Sequence, residues 1–247
     1  MLSRFRNLTI AAILGAGLLF AVMPIAGQQQ AAVYRAPRTA DGKPNLNGIW
    51  QALNEANWDI EGHAAGFGRV TALGAEDAIP PGLGIVEGGA IPYQPAALAK
   101  KKDNFAKRLT LDPEIKCYLP GVPRAMYMPY KFQIIQGTTK MMGWSNGRWD
   151  GETLEIDTTG FNDQTWFDRA GNFHSDALHV VERLTAQTPD LLNYEVTITD
   201  PNVFTRPWKM SMPLYRRKEK NAQIMEFKCV EFVEELIYGH LRKQPSK

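Results

Sequence analysis

The chain has 247 residues, of which 44% are hydrophobic and 22% charged, a globular mix that excludes wholesale disorder. Its 28 Lys and Arg stand against 26 Asp and Glu, and setting aside Arg4 and Arg6 in the leader leaves 26 against 26. A neutral chain has no electrostatic footprint for nucleic acid, so that class of partner is excluded.

Arg4 and Arg6 precede an apolar run from Leu8 to Met23, followed by Pro24 and the small residues Ala26 and Gly27. A basic start, an apolar centre and a small-residue exit predict a secretory signal peptide over residues 1–27, and a periplasmic or secreted product. The run is shorter than the roughly 20 residues that span a bilayer, so no stable membrane span is expected after cleavage. Residues 28–47 read as an extended segment. Residues 48–247 read as one β-rich domain whose early part, 60–93, is loop-rich in Gly and Pro without periodicity.

Pro95 to Leu109 combines good helix formers with Pro in the first turn, which predicts a helix. Its Lys100–Lys102 run reads as a solvated face. From Tyr130 onward come short stretches rich in β-branched and aromatic residues: 130–136, 153–157, 178–185, 191–199, 204–214 and 223–229. Turn signals separate them, at Asn146-Gly147, Asp150-Gly151, Pro189-Asp190 and Asp200-Pro201. The spacing predicts an antiparallel meander. Phe232, Val233, Leu236, Ile237 and Leu241 recur at helical spacing and predict a C-terminal helix over 230–242. The fold class expected is all-β: a curved antiparallel sheet or partly open, lipocalin/calycin-like barrel, with one helix before it and one after.

Two cysteines occur, Cys117 and Cys229. In an oxidising compartment they pair as a disulfide or stay as two buried thiols, and the disulfide is favoured. There is no CxxC, HExxH or EF-hand pattern, and no metal or other cofactor is expected.

Period-two arithmetic assigns the faces of the strands. Leu192, Tyr194, Val196 and Ile198 share one face. Leu178, Val180, Glu182 and Leu184 share another, so Glu182 sits in an apolar row. Continuing the row Phe204, Trp208, Met210, Met212 and Leu214 backward puts Arg206 on the inner face. A lone buried charge is expensive, so Glu182 and Arg206 are expected to pair, either beside a pocket or as a structural ion pair at the end of the sheet or barrel.

The stretch GFNDQTWFDRAGNFHSDALHVVERL, residues 160–184, concentrates polar side chains in one connection. Ser175 beside His174 lacks a GxSxG elbow, so a serine triad has little support. His174, Asp176 and His179 permit a metal without matching any motif. Acid–base work is the better chemistry: His174 titrates in the right range, with Asp168 and Glu182 as carboxylate candidates. Trp166 and Trp208 are candidate aromatic walls, with Arg206 and Asn162 as polar contacts to a ligand.

Several stretches carry a resemblance: KCYLPGVPRAMYMPYKFQIIQ, GWSNGRWDGETLEIDTTGFNDQTW, DRAGNFHSDALHVVERLT, YEVTITDPNVFTRPW and RTADGKPNLNGIW. Together they resemble an uncharacterised family of secreted bacterial proteins without established activity, and they cover nearly all of the chain after residue 27. The family pattern has a longer segment before MGWSNG, which Thr138-Thr139-Lys140 replaces here. A missing hairpin would leave a sheet edge or a gap in a barrel wall. Gly48-Ile49-Trp50 also resembles the GxW that opens lipocalin-like barrels, where a later Arg stacks on the Trp.

The expected function is binding of a small, partly apolar molecule in the mouth of the sheet. The alternatives are a metal-independent lyase, isomerase or hydrolase using His174 and Asp168, or a structural envelope protein. Oligomeric state is left open.

Overall fold

The computed structural model describes residues 34–67, 79, 81–136, 145–224, 226 and 228–241. The residues read as a signal peptide, the start of the segment read as extended and the join at Thr138–Lys140 lie outside the described residues.

The main sheet has seven strands: β1 (Gly48–Ala52), β4 (Phe132–Ile134), β5 (Ser145–Asp150), β6 (Thr153–Thr158), β7 (His179–Thr188), β8 (Leu191–Thr199) and β9 (Trp208–Arg216). Their order is β4-β1-β9-β8-β7-β6-β5, every neighbour antiparallel, and the sheet curls into a half-barrel with β4 and β5 at its edges. A small separate ladder joins β2 (Gly62–His63) to β3 (Gly82–Leu83). Among the described residues the α-helices are α1 (Pro95–Ala106), α2 (Arg108–Leu111) and α3 (Val233–Tyr238).

The inner face follows from alternation. Across β7, β8 and β9 the buried residues fall at every second position, and register places Glu182 opposite Val196 and Val196 opposite Met210. Burial of this face supplies most of the driving force, at about 25 cal/mol per Å² of apolar surface. On the outer face, Glu155 of β6 sits between Arg148 of β5 and Arg183 of β7 and bonds both, a cross-strand charge ladder.

Gly48 and Trp50 of β1 meet Arg216 of β9. The guanidinium lies 4.2 Å from the Trp50 ring centroid and donates to the Asn47 carbonyl at 2.7 Å. The Trp50 indole donates to Leu46 O at 3.0 Å. A Cβ on Gly48, whose φ is +152°, would sit 2.1 Å from Arg216 Nη1, so the glycine is what lets the arginine pass.

Four sequence expectations are corrected. Asn146-Gly147 is not a turn but part of β5, because β6 pairs with it residue by residue. Residues 223–229 contribute no strand among the described residues, since β9 already has β8 on one side and β1 on the other. The terminal helix α3 is short, and Val233, Leu236 and Ile237 on it stay 41%, 75% and 49% exposed instead of docking. The fourth concerns Arg206. Strand β9 begins only at Trp208, after a bend at Thr205–Arg206 and the irregular Pro207, so the alternation that fits Trp208, Met210, Met212 and Leu214 does not extend back to Arg206. Arg206 is exposed and donates to the neighbouring Pro207 carbonyl at 3.3 Å.

Candidate functional site

The connection 159–178 packs its aromatic side chains onto the inner face of the sheet. Phe167 meets Trp208 edge-on at 5.8 Å, and Phe204 meets the same indole at 5.4 Å. Trp166, Phe167, Phe173 and Leu178 all belong to the buried core, and Tyr127 donates to the Phe167 carbonyl at 2.8 Å. The mouth of the sheet is thus filled by the protein's own side chains.

The expected site residues fall as follows. His174 is buried, with Nδ1 3.0 Å from the Ser175 carbonyl and Nε2 2.7 Å from Thr165 Oγ1. A carbonyl only accepts, so Nδ1 carries the proton and Nε2 accepts from the Thr165 hydroxyl. Burial lowers the imidazole pKa, against the Ser175 carbonyl and the Asp200 charge, which favours this neutral form. The Ser175 hydroxyl donates to Asp200 at 2.9 Å and is not aimed at His174. His179 bonds Asp157 at 2.9 Å, so the two histidines of the H-x-D-x-x-H run are held by separate partners.

Glu182 is buried and accepts from the Tyr194 hydroxyl. Burial holds its carboxyl above the usual range, with the Tyr194 bond opposing. Tyrosine therefore does what arginine was expected to do: a neutral phenol satisfies the buried acid without bringing a second charge out of water. Trp166 and Trp208 are buried in the core, and the Trp208 Nε1 has no partner among the described residues. Asn162 is exposed and accepts from the Gln164 amide at 3.1 Å, a local turn.

Asp168 joins a buried polar network that the sequence did not reveal. It accepts from the Ile60 amide at 3.0 Å, the Asn172 amide at 3.2 Å and the Asn172 side chain at 2.6 Å. Asn172 Nδ2 also reaches Asp59 at 3.4 Å, and its Oδ1 accepts from Tyr93 at 2.8 Å. Complete burial and the nearby Asp59 charge push Asp168 up to about 7, against the Asn172 and Ile60 bonds and the Arg124 charge. Asp168 and His174 bond separate partners and not each other. Asp59 lies just ahead of the aperiodic stretch 60–93 and belongs to no periodic run, which is why pattern gave no warning of it.

A cavity of about 720 Å³ lies elsewhere, between residues 109–132 and 224–235. Its first wall is held by Arg124, 1% exposed, which donates to both oxygens of Asp112 at 3.0 and 3.2 Å, to Glu114 at 2.8 Å and to Asn57 at 2.9 Å. Its second wall is held by the Cys117–Cys229 disulfide and by a bond from the Phe232 amide to the Ile115 carbonyl at 2.9 Å. The disulfide expected from sequence is thus formed, and it borders the cavity. Tyr118, Leu119, Tyr130, Ile224, Val230 and Phe232 line it and are 36–86% exposed. Glu114, Lys131 and Lys228 supply polar groups. None of His174, Asp168, Glu182, Arg206, Trp166, Trp208 or Asn162 lines it.

Among the described residues no helix is long and apolar enough to cross a membrane, and no group of three His, Cys, Asp or Glu side chains is placed to hold a metal. Compared with family models, with curated proteins and with solved structures, the chain shows no significant match.

Proposed function

We propose that the protein binds a small, partly apolar molecule in the cavity bordered by the disulfide. One observation carries this reading: large apolar side chains that remain exposed converge on a single hollow. A contiguous exposed apolar patch marks a binding surface, whereas scattered ones do not. The volume, about 720 Å³, falls within the roughly 300–1,000 Å³ of small-molecule sites, and the wall is mostly apolar with a few charged groups, as such sites are. The packed sheet interior leaves the mouth of the half-barrel a poorer location than the sequence suggested. Export to the periplasm or beyond is part of the proposal, supported by the leader composition and the disulfide.

The test is titration with an apolar fluorescent probe, N-phenyl-1-naphthylamine, of the wild type and of Ala125→Trp. Ala125 is exposed on the cavity wall, so the larger ring blocks the space without entering the core. One saturable site, lost in the variant, is the expected result. Probe binding that is unsaturable, or indifferent to the substitution, would remove the cavity from the role.

A further inference from the structure

We infer that a second and smaller site, built on Asp59 and His63, takes the ammonium group of a small primary amine. It is a cavity of about 140 Å³ whose lining includes Trp58, Asp59, His63, Ala64, Phe105 and Ala170. At roughly 30 Å³ per water, it has room for about five waters or a short amine.

The recognition chemistry follows from hydrogen-bond polarity. His63 Nδ1 is 2.9 Å from the Ala64 carbonyl, so Nδ1 is the donor, and in that tautomer Nε2 carries the lone pair. That lone pair is 3.7 Å from Asp59 Oδ2, beyond hydrogen-bond reach. Asp59 Oδ1 is taken by the Glu61 amide at 2.8 Å and by Asn172 at 3.4 Å. In that tautomer Asp59 Oδ2 and His63 Nε2 are two acceptors, on residues that line one small cavity, with no hydrogen bond between them. An ammonium has three N–H donors and can bridge both.

Charge points the same way. Asp59 is mostly buried and shares Asn172 with the buried Asp168; burial and the Glu61 charge raise its carboxyl, with the Glu61 amide, Lys101 and His63 opposing, and a cation within the cavity would offset the desolvation further. Lys101 is committed to Glu61, at 3.4 Å. Arg169 and Arg108 lie over the Trp58 ring at 4.8 and 5.9 Å, so that indole serves the cavity as apolar wall for a short alkyl tail rather than as a cage for the charge.

The imidazole position is itself built. A Cβ on Gly82 would come within 2.7 Å of His63 Cδ2 and 2.9 Å of Nε2, so the ring lies against bare backbone that any other residue would push it off.

The experiment is calorimetric titration of the full chain with n-butylamine, n-butanol and butyrate. Butylamine is expected to bind on the order of tenfold more tightly than butanol, the scale of a charge-assisted hydrogen bond over a neutral one, and butyrate not at all. Asp59→Asn should erase the preference, and Ala64→Leu, at the exposed rim, should weaken butylamine binding. Ala125→Trp should leave it unchanged, which separates this site from the larger cavity. Equal affinity for amine and alcohol, or an amine affinity untouched by Asp59→Asn, would overturn the inference. If Asp59→Asn does not fold, an amine affinity unmoved by Ala64→Leu overturns it instead.

Discussion

Replacing Asp168 by Asn keeps the size of the buried side chain and removes its titration. The folded pKa, about 7, lies above the ordinary 3.8, so between those values the folded state holds the extra proton. The contribution of Asp168 to wild-type stability is then greatest at low pH, falls by about 1.4 kcal/mol per pH unit through that window, and flattens above pH 7. From pH 5 to pH 8 the loss from this network is about 2 to 3 kcal/mol. The variant escapes that loss but pays locally. Asp168 receives only donors, from Ile60 and Asn172, and an amide NH2 turned toward any of them costs about 1 to 3 kcal/mol. Urea unfolding at pH 5, 6, 7 and 8 should find Asp168→Asn less stable than the wild type at pH 5, with the gap closing or inverting by pH 8. A gap that is constant with pH, or that widens as pH rises, would refute the buried-acid reasoning.

Other consequences are as direct. Cys117 and Cys229 are 112 residues apart, so replacing both by Ser should cost about 4 to 5 kcal/mol in the chain-entropy view, and it should also abolish naphthylamine binding by releasing the cavity wall. Trp208→Ala, which empties the aromatic contact with Phe167 and Phe204, should lower stability by about 3 to 5 kcal/mol in denaturant titration. Arg206→Ala should change stability by less than about 0.5 kcal/mol, because the side chain is exposed; a loss of several kcal/mol would restore the buried-pair reading. Gly48→Ala should destabilise by about 1 to 3 kcal/mol, and by less when Arg216→Ala is already present, since the clash is with that guanidinium.

The inner face of the half-barrel was legible because burial there is strictly alternating: Leu192 to Ile198 and Val180 to Leu184 read correctly at every position. The first helix was legible from Pro95 and the run of helix formers after it. Arg206 misread because alternation was carried through Pro207, where the strand has not yet begun. Glu182 was rightly placed inside, but its partner was sought among cations when Tyr194, two residues from Val196 on the facing strand, was the nearer donor. The Asp59–Asn172–Asp168 network is spread over residues more than a hundred apart, joined by tertiary packing that no local period encodes. The large cavity was hidden for a related reason. Its walls are joined by one disulfide and one buried arginine, and Ile224, Val230, Phe232 and Val233 mimic strand and helix patterns while staying exposed.

The location of the bound molecule is best measured by methyl NMR during the naphthylamine titration. Met128 and Ala125 border the cavity, whereas Met210 and Met212 lie on the inner face of the sheet. Shifts confined to Met128 and Ala125 are expected. Shifts centred on Met210 and Met212, with Met128 unmoved, would place the ligand inside the half-barrel and contradict the proposal.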